Sequence, residues 1–362
     1  MTGRLAPARS VPTSADVGAA AANRLEKVVD LAAVRHNLGV LRAAAGRRRV
    51  MPVVKGDAYG LGAPAVGRTL AGSGVDALAV DTVAEGLALR AAGIDVPILV
   101  MDVDVAENAD VCLDAELLPA IARAEHAARY AELARRRGAP ATVWLRTNVG
   151  FNRFGPREEF DALLGALSTY REHLRFAGLF AHLTSSAWEE RETAEQAATF
   201  LARLSAARAC LGHGIEGSLA ATHGLVHPVA LRGTQWVRPG IGVYGVVAPS
   251  CRQLGGWAAS GLDALRPAWQ VRARVLDVVT VTRAEGLGYD RTAPVRPGQR
   301  VASVAVGFSR GITGAARGFS GLLHGRRCQG IGKPGMDCSQ FDVSEVPQAR
   351  AGDWLTVLGT SG

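Results

Sequence analysis

The chain has 362 residues, 48% hydrophobic and 20% charged, which is too long for one typical core and too apolar for a disordered polymer. Its net charge of +8 comes mostly from scattered arginines. The clusters Arg47-Arg48-Arg49 and Arg135-Arg136-Arg137 fall where helices end, so they read as solvated surface and not as a nucleic-acid contact. No apolar run is long enough to span a bilayer, and the five cysteines are widely spaced without a CxxC pair. Neither a disulfide framework nor a metal site is expected, and a cytoplasmic setting fits. Residues 1–24, rich in Ala, Ser, Pro and Arg, read as a disordered arm. From there the pattern alternates. A strand at Lys27–Leu31 precedes an amphipathic helix at Ala32–Ala45, and a buried strand at Val50–Lys55 precedes a helix at Ala63–Gly72. Strands at Ala77–Val80, Pro97–Val100, Leu118–Ile121, Ala141–Leu145 and Phe176–Phe180 follow, separated by helices at Thr82–Ala92, Glu125–Arg136, Glu158–Leu167 and Glu189–Leu211. About eight such units in some 220 residues argue for a closed (β/α)8 barrel, a TIM-like fold. After roughly Ser250 the helices stop. Gln270–Val281, Val301–Val306, Ile331 and Trp354–Leu358 read as short strands between Gly and Pro residues. The fold class is α/β, with a barrel over 25–255 and an all-β domain over 256–362.

The stretch MPVVKGDAYGLGA, Met51 to Ala63, carries the first functional signal. Lys55 leaves a buried strand at the end where barrel active sites lie, with no carboxylate beside it in sequence. Such a lysine is either a satisfied barrel residue or a nucleophile, as in Schiff-base chemistry with a carbonyl cofactor. Gly56, Gly60 and Gly62 allow close backbone approach, and Tyr59 adds a hydroxyl, a set that suits a phosphate. A second glycine-containing piece, Trp236 to Gly245, follows late in the barrel, where phosphate loops are common. Arg238 within it could serve a cofactor ring nitrogen or a surface pair.

The pieces VVKGDAYGLG, WVRPGIGVYG, EGLGYDRT and GMD, in that order, resemble the alanine racemase family from about Val28 onward. The resemblance implies a pyridoxal 5'-phosphate barrel followed by a β domain, acting as a head-to-tail homodimer with shared active sites on a small amino-acid substrate. By motif, Lys55 resembles the lysine that carries the cofactor and Tyr59 the tyrosine at its phosphate. Arg238 resembles the arginine at the pyridine nitrogen. Gly240 and Ile241 resemble the residues whose amides meet the phosphate, and His182 the histidine near the ring. Arg153 is similar to the arginine near the substrate carboxylate, and Met336 to the methionine whose amide meets that carboxylate. Tyr289 is similar to the tyrosine that serves the partner subunit's site. Racemisation needs a proton group on each face of Cα. Lys55 and Tyr289 of a second chain would supply them, with alanine as the default substrate and serine as a related one.

The chain also departs from the family pattern. Val226 and His227 are read here at the place of an Asn-Ser pair, so His227 is expected either to donate to the phosphate in place of serine or to be a loop histidine. Arg146 stands where many members have a carbamylated lysine, which puts a second cation near Arg153 and calls for an anion or carboxylate to offset it. Phe308 replaces a tyrosine at the substrate entrance, Arg310 reverses a charge there, and Gly335 replaces a cysteine. Family members continue beyond Trp354–Leu358 with another phosphate-binding tyrosine, a contact not expected here. The alternatives are a cofactor-binding paralogue with weak or no turnover, and another pyridoxal-phosphate reaction on the same scaffold.

Overall fold

The computed structural model describes residues 24–102, 104–312 and 318–359. The arm expected over 1–24 therefore lies outside the described residues, except for Arg24. Two compact units divide the chain: Val29–Ala268, and the segment from Trp269 onward together with the residues through Val28.

In the first unit eight parallel strands close on themselves. They are Arg49–Val50, Leu78–Val80, Ile98–Val100, Leu117–Ile121, Ala141–Arg146, Leu174–Phe180, Glu216–Ser218 and Trp236–Val237. Arg49–Val50 pairs with Trp236–Val237 on one side, and a single bridge from Val53 to Ala79 joins it to the second strand on the other. The strands are short apolar runs buried on both faces, as a barrel wrapped by helices requires. Met51, Val53, Ala79, Leu99, Trp144, Phe180 and Trp236 fill the interior. Trp144 and Trp236 meet edge to face, 6.0 Å between centroids. Gly178 makes room for them, because a Cβ there would lie 2.4 Å from the Trp144 ring.

The first strand of the chain is not part of the barrel. Leu25–Val29 joins the sheet of the other unit, beside Trp269–Thr280. Asp30 then caps the helix Leu31–Ala45, accepting from the amides of Ala32 and Ala33 at 2.8 and 3.0 Å. The expected strand Lys27–Leu31 is thus displaced by two residues and pairs elsewhere. The segment after Ser250 also stays with the barrel unit longer than composition suggested. Arg266 N donates to Asn37 Oδ1 at 2.8 Å and Ala268 N to the Tyr244 carbonyl at 3.1 Å.

The second unit is a seven-stranded sheet. Trp354–Leu358 pairs with both Ser320–Leu323 and Trp269–Thr280, so the sheet curls into a closed antiparallel barrel. Val275, Val304, Leu323, Phe341 and Leu355 form its core. A separate hairpin, Glu285–Leu287 with Ala293–Val295, projects from it. Among the described residues no helix is long and apolar enough to cross a membrane.

The Trp144–Gly178 fit is tight enough to test. Gly178→Ala should destabilise the barrel unit by about 1–3 kcal/mol through overpacking, read as an earlier urea transition in tryptophan fluorescence.

Candidate active site

The C-terminal ends of the barrel strands surround a cavity of about 400 Å3. Its wall includes Lys55, Tyr59, Arg153, His182, Arg238, Gly240 and Ile241. These sequence-expected residues come from well-separated parts of the chain and meet because they follow strand ends.

Lys55 begins an unusual turn. Gly56, Asp57, Ala58 and Tyr59 all take left-handed backbone angles, with φ of 60, 54, 55 and 57°. Glycine adopts this conformation freely, whereas each L-residue costs about 1–2 kcal/mol there. Three anchors hold the turn. Gly56 N donates to Glu85 Oε1 at 2.6 Å, Ala58 N to the Val54 carbonyl at 2.8 Å, and Asp57 Oδ1 accepts from Ala63 N at 2.7 Å. The last contact starts the helix Ala63–Gly72. Glu85 Oε2 also accepts from the amides of Asp81 and Thr82, tying two strand ends together.

Lys55 does have a carboxylate partner, contrary to what its sequence neighbours suggest. Nζ lies 3.5 Å from Asp81 Oδ1, both side chains being partly open to solvent. Asp81 is the sole carboxylate among the described residues lining the cavity. It directly follows the strand Leu78–Val80, so the strand-end rule that pointed to Lys55 points equally to Asp81. Tyr59 lies 5.1 Å from the Tyr244 ring, and desolvation, followed by Asp81, raises its phenol pKa, keeping it a donor.

Gly240 leaves room for Tyr59, since a Cβ there would lie 2.3 Å from the Tyr59 hydroxyl and push that side chain aside. Its own N–H is given to Thr222 Oγ1 at 3.2 Å, and Gly242 N reaches the same oxygen at 3.1 Å. Accepting two amides leaves the Thr222 O–H free to donate, and Thr222 lines the cavity. His227 does not. It is 4% exposed, and its Nε2 sits 2.8 Å from the Ser186 carbonyl, outside the cavity wall. Thr222 thus presents a hydroxyl to the cavity where His227 does not, and His227 braces the loop at Ser186. Val226 is also buried away from the wall.

Arg238 is 3% exposed and pinned by two carbonyls, Ser218 O at 2.7 Å and Ala181 O at 2.6 Å. Burial, then Arg146, pushes it down to about 9, so it stays charged at neutral pH. Arg146 ends the strand Ala141–Arg146 and gives Nη1 to the Met101 carbonyl at 2.6 Å. Burial and then Arg153 lower it to about 10, partly offset by Asp81 and Asp102. These two carboxylates answer the call for a counter-charge. His182 lies edge-on to Phe151 at 5.3 Å. Desolvation in the wall, followed by Arg238, Arg153, Lys55 and Arg146, drives its imidazole down to about 3.

Arg153 sits on the loop 147–157, its guanidinium 4.3 Å over Phe151. Arg203, on the helix Glu190–Leu211, ties both ends of that loop. Its Nη1 donates to Thr147 Oγ1 at 2.7 Å and the Pro156 carbonyl at 3.2 Å, and it also bonds the carbonyls of Asn148 and Arg157.

Tyr289 and Met336 lie in the β unit, 67% and 58% exposed. Gly335 and Met336 interlock with Phe308 and Ser309: Phe308 N donates to the Gly335 carbonyl at 2.9 Å and Ser309 N to the Met336 carbonyl at 3.0 Å. A Cβ on Gly335 would lie 3.9 Å from the Tyr289 ring. Tyr289, Phe308 and Met336 thus share one exposed region of their own unit.

The donor set fits pyridoxal phosphate. Lys55 offers an amine for the aldehyde, and Tyr59 and Thr222 offer hydroxyls around a glycine that leaves space. Arg238 offers a fixed cation for the ring.

Family models named "Alanine racemase, N-terminal domain" and "Alanine racemase, C-terminal domain" match residues 29–248 and 268–362. The alanine racemase of Thioalkalivibrio sulfidiphilus is 34% identical over 339 residues, covering 91% of this chain and 89% of that protein. The solved alanine racemase of D-cycloserine-producing Streptomyces lavendulae superposes with a TM-score of 0.81 at 28% identity, over 94% and 88% of the two chains. The Bartonella henselae racemase, solved with covalently bound pyridoxal phosphate, shares the fold at 0.78 and 20% identity, over 94% and 91%.

Two outcomes follow. Arg203→Met should free the loop 147–157, so that trypsin cleaves at Arg153 and Arg157 about tenfold faster or more, read by mass spectrometry. His182 should remain neutral from pH 8 to 5 by NMR. Because the unfolded chain takes that proton first, the contribution of His182 to stability is complete above about pH 6.5 and is lost as pH falls toward 3. Urea midpoints of wild type and His182→Phe should show this slope in the wild type alone.

Proposed function

This chain belongs to the alanine racemase family, and we propose on that premise that it interconverts L- and D-alanine with pyridoxal 5'-phosphate as cofactor. The family is pyridoxal-phosphate-dependent. The observation that carries the reading is the meeting of Lys55, Tyr59, Thr222, Arg153 and Arg238 in one strand-end cavity. Lys55 would hold the cofactor through its amine, Tyr59, Thr222 and Ile241 would hold the phosphate, and Arg238 would face the ring nitrogen. His182 would lie along the ring. When bound, pyridoxal phosphate supplies an electron-withdrawing ring that makes the substrate Cα–H bond acidic.

The chain's own residues do the remaining work. Arg153 takes the substrate carboxylate and so fixes which bonds at Cα point to the two sides of the cavity. Lys55 Nζ gives and takes the proton on one side, with Asp81 beside it to hold the ammonium when the proton is there. Arg238, charged at neutral pH, would keep the ring nitrogen unprotonated, which restrains competing reactions. Neutral His182 adds no further charge.

The other side needs a second proton group, and we assign it to Tyr289 of a partner subunit. The exposure of Tyr289 on its own unit supports this, as does its grouping with Met336. A homodimer with shared sites and a cytoplasmic place of action belong to the same proposal.

Cα–H exchange in D2O, followed by NMR with D-alanine read out in parallel, tests it. Lys55→Ala should lose both exchange and the absorbance of bound cofactor. Tyr289→Phe should keep Cα–H exchange for only one enantiomer, the one whose hydrogen faces Lys55, while racemisation falls by about 10²-fold or more. Undiminished racemisation by Tyr289→Phe in both directions would remove the tyrosine from the mechanism.

A further inference from the structure

The cavity holds one cation more than the proposed reaction uses. Lys55, Arg153 and Arg238 each have a task, while Arg146 has none. Yet Arg146 is part of the cavity wall, only 8% exposed, with one of its five N–H donors spent on the Met101 carbonyl. Its guanidinium lies 4.6 Å from the Phe154 ring centroid, and that of Arg153 lies 5.5 Å from the same centroid. Two guanidinium groups therefore approach the same phenyl ring. The ion pairs among the described residues include neither of them; Asp81 pairs with Lys55, and Asp81 and Asp102 offset the Arg146 charge only in part.

Both arginines line the cavity, and Arg153 repels Arg146, so an anion taken up there relieves that repulsion. A planar guanidinium with open donors matches a carboxylate in charge and shape. Alanine brings a single carboxylate, which Arg153 takes. An amino acid with a second carboxylate on a short side chain would present it to the neighbouring guanidinium. We propose that Arg146 and Arg153 form a two-carboxylate subsite and that the substrate range extends to short amino dicarboxylic acids, aspartate first. The inference rests on the racemase reading for its chemistry, though not for its binding. Another source of the same chemistry is a small inorganic anion such as chloride lodged at Arg146.

The test uses the full chain with bound pyridoxal phosphate. Cα–H exchange in D2O is compared for L-alanine, L-aspartate and its neutral isostere L-asparagine, in gluconate and in chloride buffers. Aspartate should exceed asparagine in kcat/KM for exchange by about tenfold or more. Arg146→Gln should bring that ratio close to one, and Arg146→Lys should restore part of it. A binding arm needs no turnover: succinate should raise the melting temperature more than its monoamide does in the wild type, with the difference gone in Arg146→Gln.

Aspartate no better than asparagine, while alanine exchanges, overturns the inference and leaves the racemase reading standing. An aspartate preference that survives Arg146→Gln also overturns it. Chloride that accelerates alanine exchange through Arg146 assigns the subsite to an inorganic ion and removes the dicarboxylate claim. Absence of exchange with all three amino acids, cofactor bound, sinks the racemase reading, and the succinate titration then decides the subsite alone.

Discussion

A single parallel bridge from Val53 to Ala79 closes the eight-stranded barrel, and the site depends on it. Around it Val54 N donates to the Ala79 carbonyl at 2.8 Å, Ala79 N to the Pro52 carbonyl at 2.9 Å, and Val53 N to the Pro239 carbonyl at 2.9 Å. The segment Pro52–Val54 thus binds both neighbours at once. That places Lys55 between the tip carrying Asp81 and the tip carrying Arg238. A closed sheet has no free edge along which this register could slip. The lysine reaches its partners because the backbone leaves no other exit.

Electrostatics then acts on a geometry already set. Four cations share a small cavity with one lining carboxylate. Lys55 pairs with Asp81, but the three arginines are fixed by something other than charge pairing: Arg238 by carbonyls, Arg146 by a carbonyl and two phenyl rings, Arg153 by a loop that Arg203 ties down. Charges held by carbonyls and packing keep their field when no anion is present. The cavity is therefore preorganised for anionic groups, and it suppresses protonation of the histidine in its wall.

Much of this was legible in the sequence, for identifiable reasons. Lys55, Arg238 and the alternating strand–helix pattern follow rules of position and period that act over a few residues. What could not be read were relations across the chain. Asp81 stands 26 residues from Lys55, and only barrel closure brings them together. The sequence points to His227 as a cavity donor, five residues beyond Thr222, which lines the cavity, because a loop offers no period by which to align its residues. Leu25–Val29 has the apolar character of any strand, and nothing local says which of two sheets it completes. The join between units was read from a loss of helical periodicity, yet the short turns after Ser250 remain hydrogen-bonded to the barrel unit.

The left-handed turn at Gly56–Tyr59 has a consequence for how the protein comes into being. Three of its four residues carry a Cβ in a conformation that an isolated peptide avoids. Such a turn cannot nucleate folding. It becomes favourable only when the Glu85 carboxylate and the closed strands are in place to receive it. The turn that follows Lys55 thus depends on contacts made by other parts of the barrel, and a chain in which those contacts are open holds the lysine without its surrounding cavity.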